Sequence, residues 1–111
     1  MRLLSSVLLA AGLFACGTPC SHIAGAEAQA NDKASKNCGG SSGTWSDAKI
    51  KSCEAGLSKC SQDDQKAMEN YADCLTKLPE CVSGQSINWS LQRVSCLQAL
   101  NISLSCAQAI N

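Results

Sequence analysis

The chain has 111 residues, nine Lys and Arg side chains against nine Asp and Glu side chains, and nine cysteines. This length suffices for one domain, and the scattered basic residues exclude the clustered basic face that binds nucleic acid. Aromatic residues make up only 4% of the chain, which excludes a large aromatic core and makes disulfides its expected substitute.

The first element is an apolar run near the amino terminus. Arg2 precedes an apolar stretch that extends from Leu3 to Ala15. Such a stretch is too short to cross a hydrocarbon core of about 30 Å as a helix. A positive charge, a short apolar segment and a small residue at its end are typical of a removable secretion signal. We therefore predict a signal peptide over residues 1–15.

The tetrapeptide Leu13-Phe14-Ala15-Cys16 spans the end of the predicted signal and the first residue after it. It resembles the lipobox of bacterial lipoproteins, in which Leu stands three positions before the cut, a small residue precedes the cut and Cys follows it. The resemblance covers only the signal and Cys16. It implies that Cys16 is acylated, becomes the mature amino terminus and anchors the protein to a membrane. Gly17, where an Asp would retain such a protein at the inner membrane, implies the outer membrane if the cell is Gram-negative.

The number of cysteines separates this interpretation from two alternatives. An ordinary signal peptidase cut after Ala15 leaves nine cysteines, and a cut after Ala30, within the small-x-small sequence Ala28-Gln29-Ala30, leaves seven. Acylation of Cys16 leaves eight, an even set that can pair completely. The even number of cysteines that remains after acylation of Cys16 therefore favours the lipid anchor. The alternative is a soluble secreted Cys-rich effector or inhibitor.

Residues 16–44 are predicted to be a lipid-anchored flexible tether. They are rich in Ala, Gly, Ser and Asn and show no sustained apolar period, and residues 39–43 have the composition of a flexible linker. Cys20 and Cys38 either close a local loop or attach the tether to the domain. His22, the only histidine, is interpreted as a solvated loop residue rather than a metal or haem ligand.

Residues 45–111 are predicted to be a Cys-rich helical domain. The domain contains three stretches with helical apolar spacing, and Ser46, Ser61 and Ser86 precede them as predicted helix caps. Pro79 ends the second stretch, and a break near Asn101 divides the third into two helices. The fold class is all-α, a small disulfide-stapled bundle of three to four short helices. Apolar residues recur at helical spacing in three stretches, namely Ile50, Cys53, Leu57 and Cys60, then Met68, Tyr71, Leu75, Leu78 and Val82, then Leu97, Leu100, Leu104 and Ala107.

Two cysteine pairs share a seven-residue spacing, Cys53 with Cys60 and Cys74 with Cys81. Seven residues place two sulfurs on one helix face but about 10.5 Å apart, too far for a bond within that helix. Bonds between two antiparallel helices are expected instead, with Cys53–Cys81 and Cys60–Cys74 in one register. A turn at residues 61–64 would favour Cys53–Cys74. The leading prediction is thus an antiparallel helical hairpin with two disulfide rungs.

The remaining cysteines, Cys96 and Cys106, are then expected to pair with Cys20 and Cys38. Each bridge adds on the order of 3 kcal/mol of stability, which offsets a modest core. The predicted disulfide set is Cys20, Cys38, Cys53, Cys60, Cys74, Cys81, Cys96 and Cys106.

The sequence contains no pattern that predicts catalysis. Cys-x-x-Cys, phosphate-loop and calcium-loop patterns are all absent, and a single histidine gives a Ser-His-acid hydrolase little to build from. Asp63 and Asp64 are explained by their place at a helix start. Trp89 is either an exposed contact residue or a half-buried staple onto the third helix. We predict no enzyme, cofactor or metal, but a structural or partner-binding role, with the membrane reached through the lipid and an unknown protein or cell-surface partner.

Overall fold

The computed structural model describes residues 17–39 and 43–111, in which no strand occurs. This confirms the all-α prediction, with five α-helices in the described part rather than three to four. The predicted signal at residues 1–15 and the lipidation residue Cys16 lie outside the described residues. The helices are α1 Pro19–Ser35, α2 Asp47–Gly56, α3 Gln62–Thr76, α4 Ser86–Ser95 and α5 Leu104–Ile110, and two 3-10 turns occupy Leu57–Lys59 and Cys96–Ala99.

Helix α1 corrects the predicted tether, because residues 19–35 form the longest helix of the described part. Thr18 caps it by accepting a hydrogen bond from the Ser21 amide, and Pro19 occupies the first turn, where its missing N–H costs nothing. Alanine has the highest helix propensity, so a segment that reads as linker by composition forms a helix when one face is buried. That buried face consists of Cys20, Ile23, Ala24, Ala26 and Ala30.

Helices α1 and α3 pack side by side and run in the same direction. His22, near the start of α1, contacts Glu69 in the first half of α3. Lys33, near the end of α1, donates to the Thr76 carbonyl at the end of α3. The small side chains on the buried face of α1 permit this close approach. The central layer of the fold is therefore a parallel helix pair.

Helix α2 runs antiparallel to α1. Cys53, late in α2, is bonded to Cys20, early in α1. Trp45, just before α2, donates from its indole N–H to Glu27 in the middle of α1, at 3.0 Å. The fold thus contains an antiparallel helical hairpin, but α1 and α2 form it, not the two helices predicted from the cysteine spacing.

Helix α4 is attached to the fold through Trp89, which is only 5% exposed. Its indole N–H donates to the Pro79 carbonyl at 2.7 Å. The guanidinium of Arg93 lies over the Trp89 ring and donates to the Asn31 side chain of α1 at 2.8 Å. The interpretation of Trp89 as an exposed contact residue is wrong, because the ring is buried behind α4.

The four disulfides correct the predicted connectivity. None of Cys53–Cys81, Cys60–Cys74 and Cys53–Cys74 is formed, and neither Cys96 nor Cys106 pairs with Cys20 or Cys38. Together the bonds tie all five helices into one unit. They join Cys20 to Cys53, Cys38 to Cys81, Cys60 to Cys106 and Cys74 to Cys96.

The prediction failed because each seven-residue step crosses a helix end. Helix α2 stops at Gly56, so Cys60 lies beyond a 3-10 turn in extended backbone, with φ −107° and ψ 129°. Helix α3 stops at Thr76, so Cys81 also lies outside it. The two sulfurs of each pair therefore do not share a helix face, and the assumed register has no physical basis.

Helix α5 closes the bundle against the end of α2. A β-carbon added at Gly56 would overlap the Ala109 carbonyl, so glycine is needed for this contact. The predicted break near Asn101 is confirmed, because residues 100–103 are non-helical and Ser103 caps α5 by accepting from the Cys106 amide.

Candidate functional site

A cleft lies between the helical hairpin, α3 and the carboxyl-terminal part of the chain, and we call it the Glu27 cleft. It has a volume of about 410 Å³, within the usual range of small-molecule sites. Its polar end consists of Glu27, Trp45, Lys49 and Tyr71, and its apolar wall consists of Leu97, Leu100, Ile102, Ala107 and Ile110.

Glu27 organises the polar end of the cleft. Its Oε1 accepts from the Trp45 indole N–H at 3.0 Å, and its Oε2 accepts from the Tyr71 hydroxyl at 3.3 Å. Burial raises the pKa of the Tyr71 hydroxyl, the charge of Glu27 raises it further, and Arg93 opposes the shift. Tyr71 therefore remains a neutral donor to Glu27 well beyond physiological pH.

Lys49 stands at the same end of the cleft without a carboxylate partner. Its ammonium lies over the Trp45 ring, 4.5 Å from the ring centroid. Within residues 17–39 and 43–111, the ion pairs are those of His22, Lys36 and Lys77, so Lys49 forms none there. Its charge is held by an aromatic face rather than neutralised.

His22 lies in α1, not in a solvated loop as predicted. Its Nδ1 is 2.6 Å from Glu69 Oε1 and 2.7 Å from Glu69 Oε2. Both side chains are partly exposed, at 34% and 41%. They lie in a groove of about 360 Å³ between α1 and α3. The pair links the two parallel helices across this groove.

Asp64 joins the starts of α3 and α5. It accepts hydrogen bonds from the Ser103 amide, the Ser103 hydroxyl and the Ser61 amide, at 2.9, 2.8 and 3.1 Å. These donors, the Ser103 amide foremost, lower the pKa of Asp64 below its usual value against the opposing effect of burial. The predicted role of this carboxylate at a helix start is confirmed, with the added link to α5.

Asp64 also belongs to the only group of metal-ligand types found close together in the described residues, with Cys60 and Cys106. Those two sulfurs are bonded to each other and present no thiolate. The carboxylate is already bound by three donors. This arrangement fits a structural link and does not fit a metal ion.

The outward side of α4 carries an apolar row that we call the outer stripe, consisting of Ile87, Leu91 and Val94. These residues are 76%, 63% and 56% exposed. Their spacing of four and three residues places them on one helix face, opposite the buried Trp89. After Glu80, Arg93 is the only charged side chain in the sequence. The stripe is therefore an exposed apolar row on a helix whose one charged residue is Arg93.

The structure thus separates the cysteines from the candidate site, because all eight described cysteines serve as structural links. Sequence reasoning missed Glu27 and Lys49. Glu27 fell within the predicted tether, and Lys49 resembles any solvated helix residue. One signal was present: Ile23, Glu27 and Ala30 follow the same helical spacing as the stretches that were recognised.

Comparisons with protein-family models, with curated proteins and with solved structures found no match to this chain. Within the described part of the chain, none of the helices has the length and hydropathy needed to cross a bilayer. The molecule is a small, cysteine-rich helical protein with four disulfides. Such a disulfide content is typical of proteins that fold outside the cytoplasm.

Proposed function

We propose that the chain is an exported protein, anchored by a lipid on Cys16, with a structural or partner-binding role and no catalytic activity. The cysteine pairing carries this proposal. The eight described cysteines, from Cys20 onward, all bond with one another, so none of them is left to form a disulfide with a further cysteine. An exported cysteine left over from a complete set calls for a separate use, and acylation of a lipobox cysteine provides it.

The packing of α1 argues against removal of residues 1–30. A cut after Ala30 would remove Cys20 and most of the buried face of α1, and would leave Cys53 without its disulfide partner. The residue Ala30 itself is fully buried. This packing supports the proposal that the mature chain retains Cys20, as it would after a cut just before Cys16.

The start of α1 changes the expected geometry at the membrane. Only Gly17 and Thr18 lie between Cys16 and Pro19, where α1 begins, and the three residue steps from Cys16 to Pro19 span only about 10 Å when extended. A lipid on Cys16 would hold the helical body directly at the bilayer surface, in the outer membrane if the cell is Gram-negative. This replaces the long leash expected from composition.

The outer stripe of α4 supports a partner-binding role. Singly exposed apolar residues are common, but a row of three on one face of a helix marks a contact surface. Three exposed side chains of this kind stabilise a complex by about 1.5–3 kcal/mol each when fully buried. The fold itself does not use them.

The absence of catalysis is supported by what the reactive residue types do. Every described cysteine is in a disulfide, so none of them is a thiolate nucleophile. His22 is engaged with Glu69, and the adjacent Ser21 hydroxyl donates to the Thr18 carbonyl.

The anchor is tested by intact mass and amino-terminal analysis of the protein isolated from its own membranes. We expect a lipid-sized mass excess on a peptide that begins at Cys16, and loss of membrane association in a Cys16→Ser variant. An unmodified amino terminus, with the protein in the soluble fraction, would refute the anchor and favour the soluble secreted effector or inhibitor.

The partner-binding role is tested by placing a photo-crosslinking residue at Leu91 in the intact cell envelope. Lys66, exposed on α3, is the matched control position. We expect a discrete adduct from position 91, absent from position 66 and lost when Ile87 is replaced by Ser. Equal labelling from both positions would contradict the role assigned to the outer stripe.

A further inference from the structure

The Glu27 cleft has two chemically distinct ends, which define the kind of small molecule it suits. Branched aliphatic side chains line one side, and Leu97 in that wall remains 51% exposed. The other end presents Lys49, whose ammonium lies over the Trp45 ring, and the lining there also includes Tyr71. An apolar cleft with a few convergent polar groups at one end is the usual form of a ligand site.

We propose that the Glu27 cleft binds an aliphatic carboxylate, with its chain along the wall of Leu97, Leu100 and Ile102 and its head group on the Lys49 ammonium. This inference goes beyond the proposed function. It depends neither on acylation of Cys16 nor on the outer stripe, because it uses a different surface and a different class of ligand.

The charges at the polar end select an anion over a cation. Glu27 is the acidic residue of the cleft, and its two oxygens already accept from Trp45 and Tyr71. A cationic ligand would have to compete with these donors. Among the described residues Lys49 is held by the face of the Trp45 ring and forms no ion pair, so a carboxylate gains a charge-assisted hydrogen bond there without breaking one of theirs.

The apolar wall of the Glu27 cleft strengthens binding through contact with the aliphatic chain of the ligand. Leu100, Ile102 and Ile110 are only partly buried although they pack against the core. A ligand chain that covers them removes apolar surface from water on both sides of the contact. Each methylene buried in this way strengthens binding by about fourfold.

Isothermal titration calorimetry of the full mature protein with decanoate, below its micelle concentration, tests the proposal. We expect saturable binding of one decanoate per chain, about fourfold weaker for each methylene removed on going to octanoate. Decyltrimethylammonium, with the same chain and the opposite charge, is expected to bind at least tenfold more weakly. No saturable binding of decanoate, or equal binding of the cation, would overturn the proposal.

Two matched variants separate recognition from folding. Lys49→Met keeps the apolar stem, removes the charge and is expected to weaken decanoate binding by about tenfold or more, as expected for a lost charge-assisted bond. Lys51→Met, an exposed position on the same helix, is expected to change binding by less than twofold. Equal losses in the two variants would contradict a specific role for Lys49. Unfolding curves verify that both variants are folded.

Discussion

Removal of the Cys20–Cys53 disulfide is the most informative test of the fold. The bond joins α1 to α2 over a sequence separation of 33, and both cysteines are fully buried. The chain-entropy relation gives about 3.7 kcal/mol for a loop of this size. In a Cys20→Ala/Cys53→Ala variant, the two lost sulfurs leave a small cavity that costs about 1 kcal/mol more for each. Alanine avoids the unpaired buried hydroxyl of serine.

The expected loss of about 6 kcal/mol is large against the 5–15 kcal/mol that stabilises a typical domain. Urea unfolding, followed by circular dichroism, measures it as a lower transition midpoint. The slope of the transition should also steepen, because the unfolded chain exposes more surface without the cross-link. Before unfolding, mass analysis after thiol labelling must show that the other three bridges have formed.

A loss below about 1 kcal/mol, with those three bridges intact, would refute the reasoning, because the bond would then neither restrict the unfolded chain nor fill the core. The single variant Cys20→Ala is the control for connectivity. Its one additional thiol should map to Cys53 and to no other cysteine.

Further predictions concern single side chains. Asp64 has a lowered pKa in the folded protein, so the stability it contributes is fully present above its unfolded pKa and lost as the pH falls through its folded pKa. When the unfolding midpoint is plotted against pH, the Asp64→Asn variant should therefore show a flatter decrease on the acid side than the unchanged protein. The raised pKa of Tyr71, the only tyrosine, should appear in an absorbance titration as ionisation above pH 10, and Glu27→Gln should bring it back towards that value. Trp89→Ala should cost about 3–5 kcal/mol in urea unfolding. Leu91→Ser, on the outer stripe, should change that value by less than about 0.5 kcal/mol.

Helical periodicity and caps were predictable from the sequence because they are local. Ser46 and Ser61 cap α2 and α3 as expected. The prediction that Ser86 is a cap is wrong, because Ser86 is the first residue of α4 and no side chain caps that helix. The apolar spacing of Met68, Tyr71 and Leu75 matches the buried face of α3. Each of these features depends on residues within one or two turns of the helix, so one sequence contains enough information to find them.

Helix α1 was missed because alanine is ambiguous. It forms helices well, but it contributes little to an apolar pattern and is common in linkers. What decides the outcome for residues 19–35 is burial of their small side chains against α3 and the bond at Cys20. Both are long-range interactions, which amino-acid composition does not reveal.

The Glu27 cleft could not be predicted from the sequence either, because it depends on contacts between distant segments. Glu27, Trp45 and Tyr71 come from three separate segments, which the packing of α1 against both α2 and α3 brings together. The disulfide pairing failed for a related reason, because spacing along the chain has meaning only inside one helix. The ends of α2 and α3 fall between the paired positions.

The order of the disulfide bonds has a consequence for biogenesis. No bond joins a cysteine to the next one along the described chain; each skips at least one, and Cys38–Cys81 skips three. An oxidant that couples each thiol to the next one emerging from the translocation channel would therefore trap scrambled molecules. Maturation then depends on thiol–disulfide exchange, and the yield of native protein should rise with isomerase capacity rather than with oxidising power.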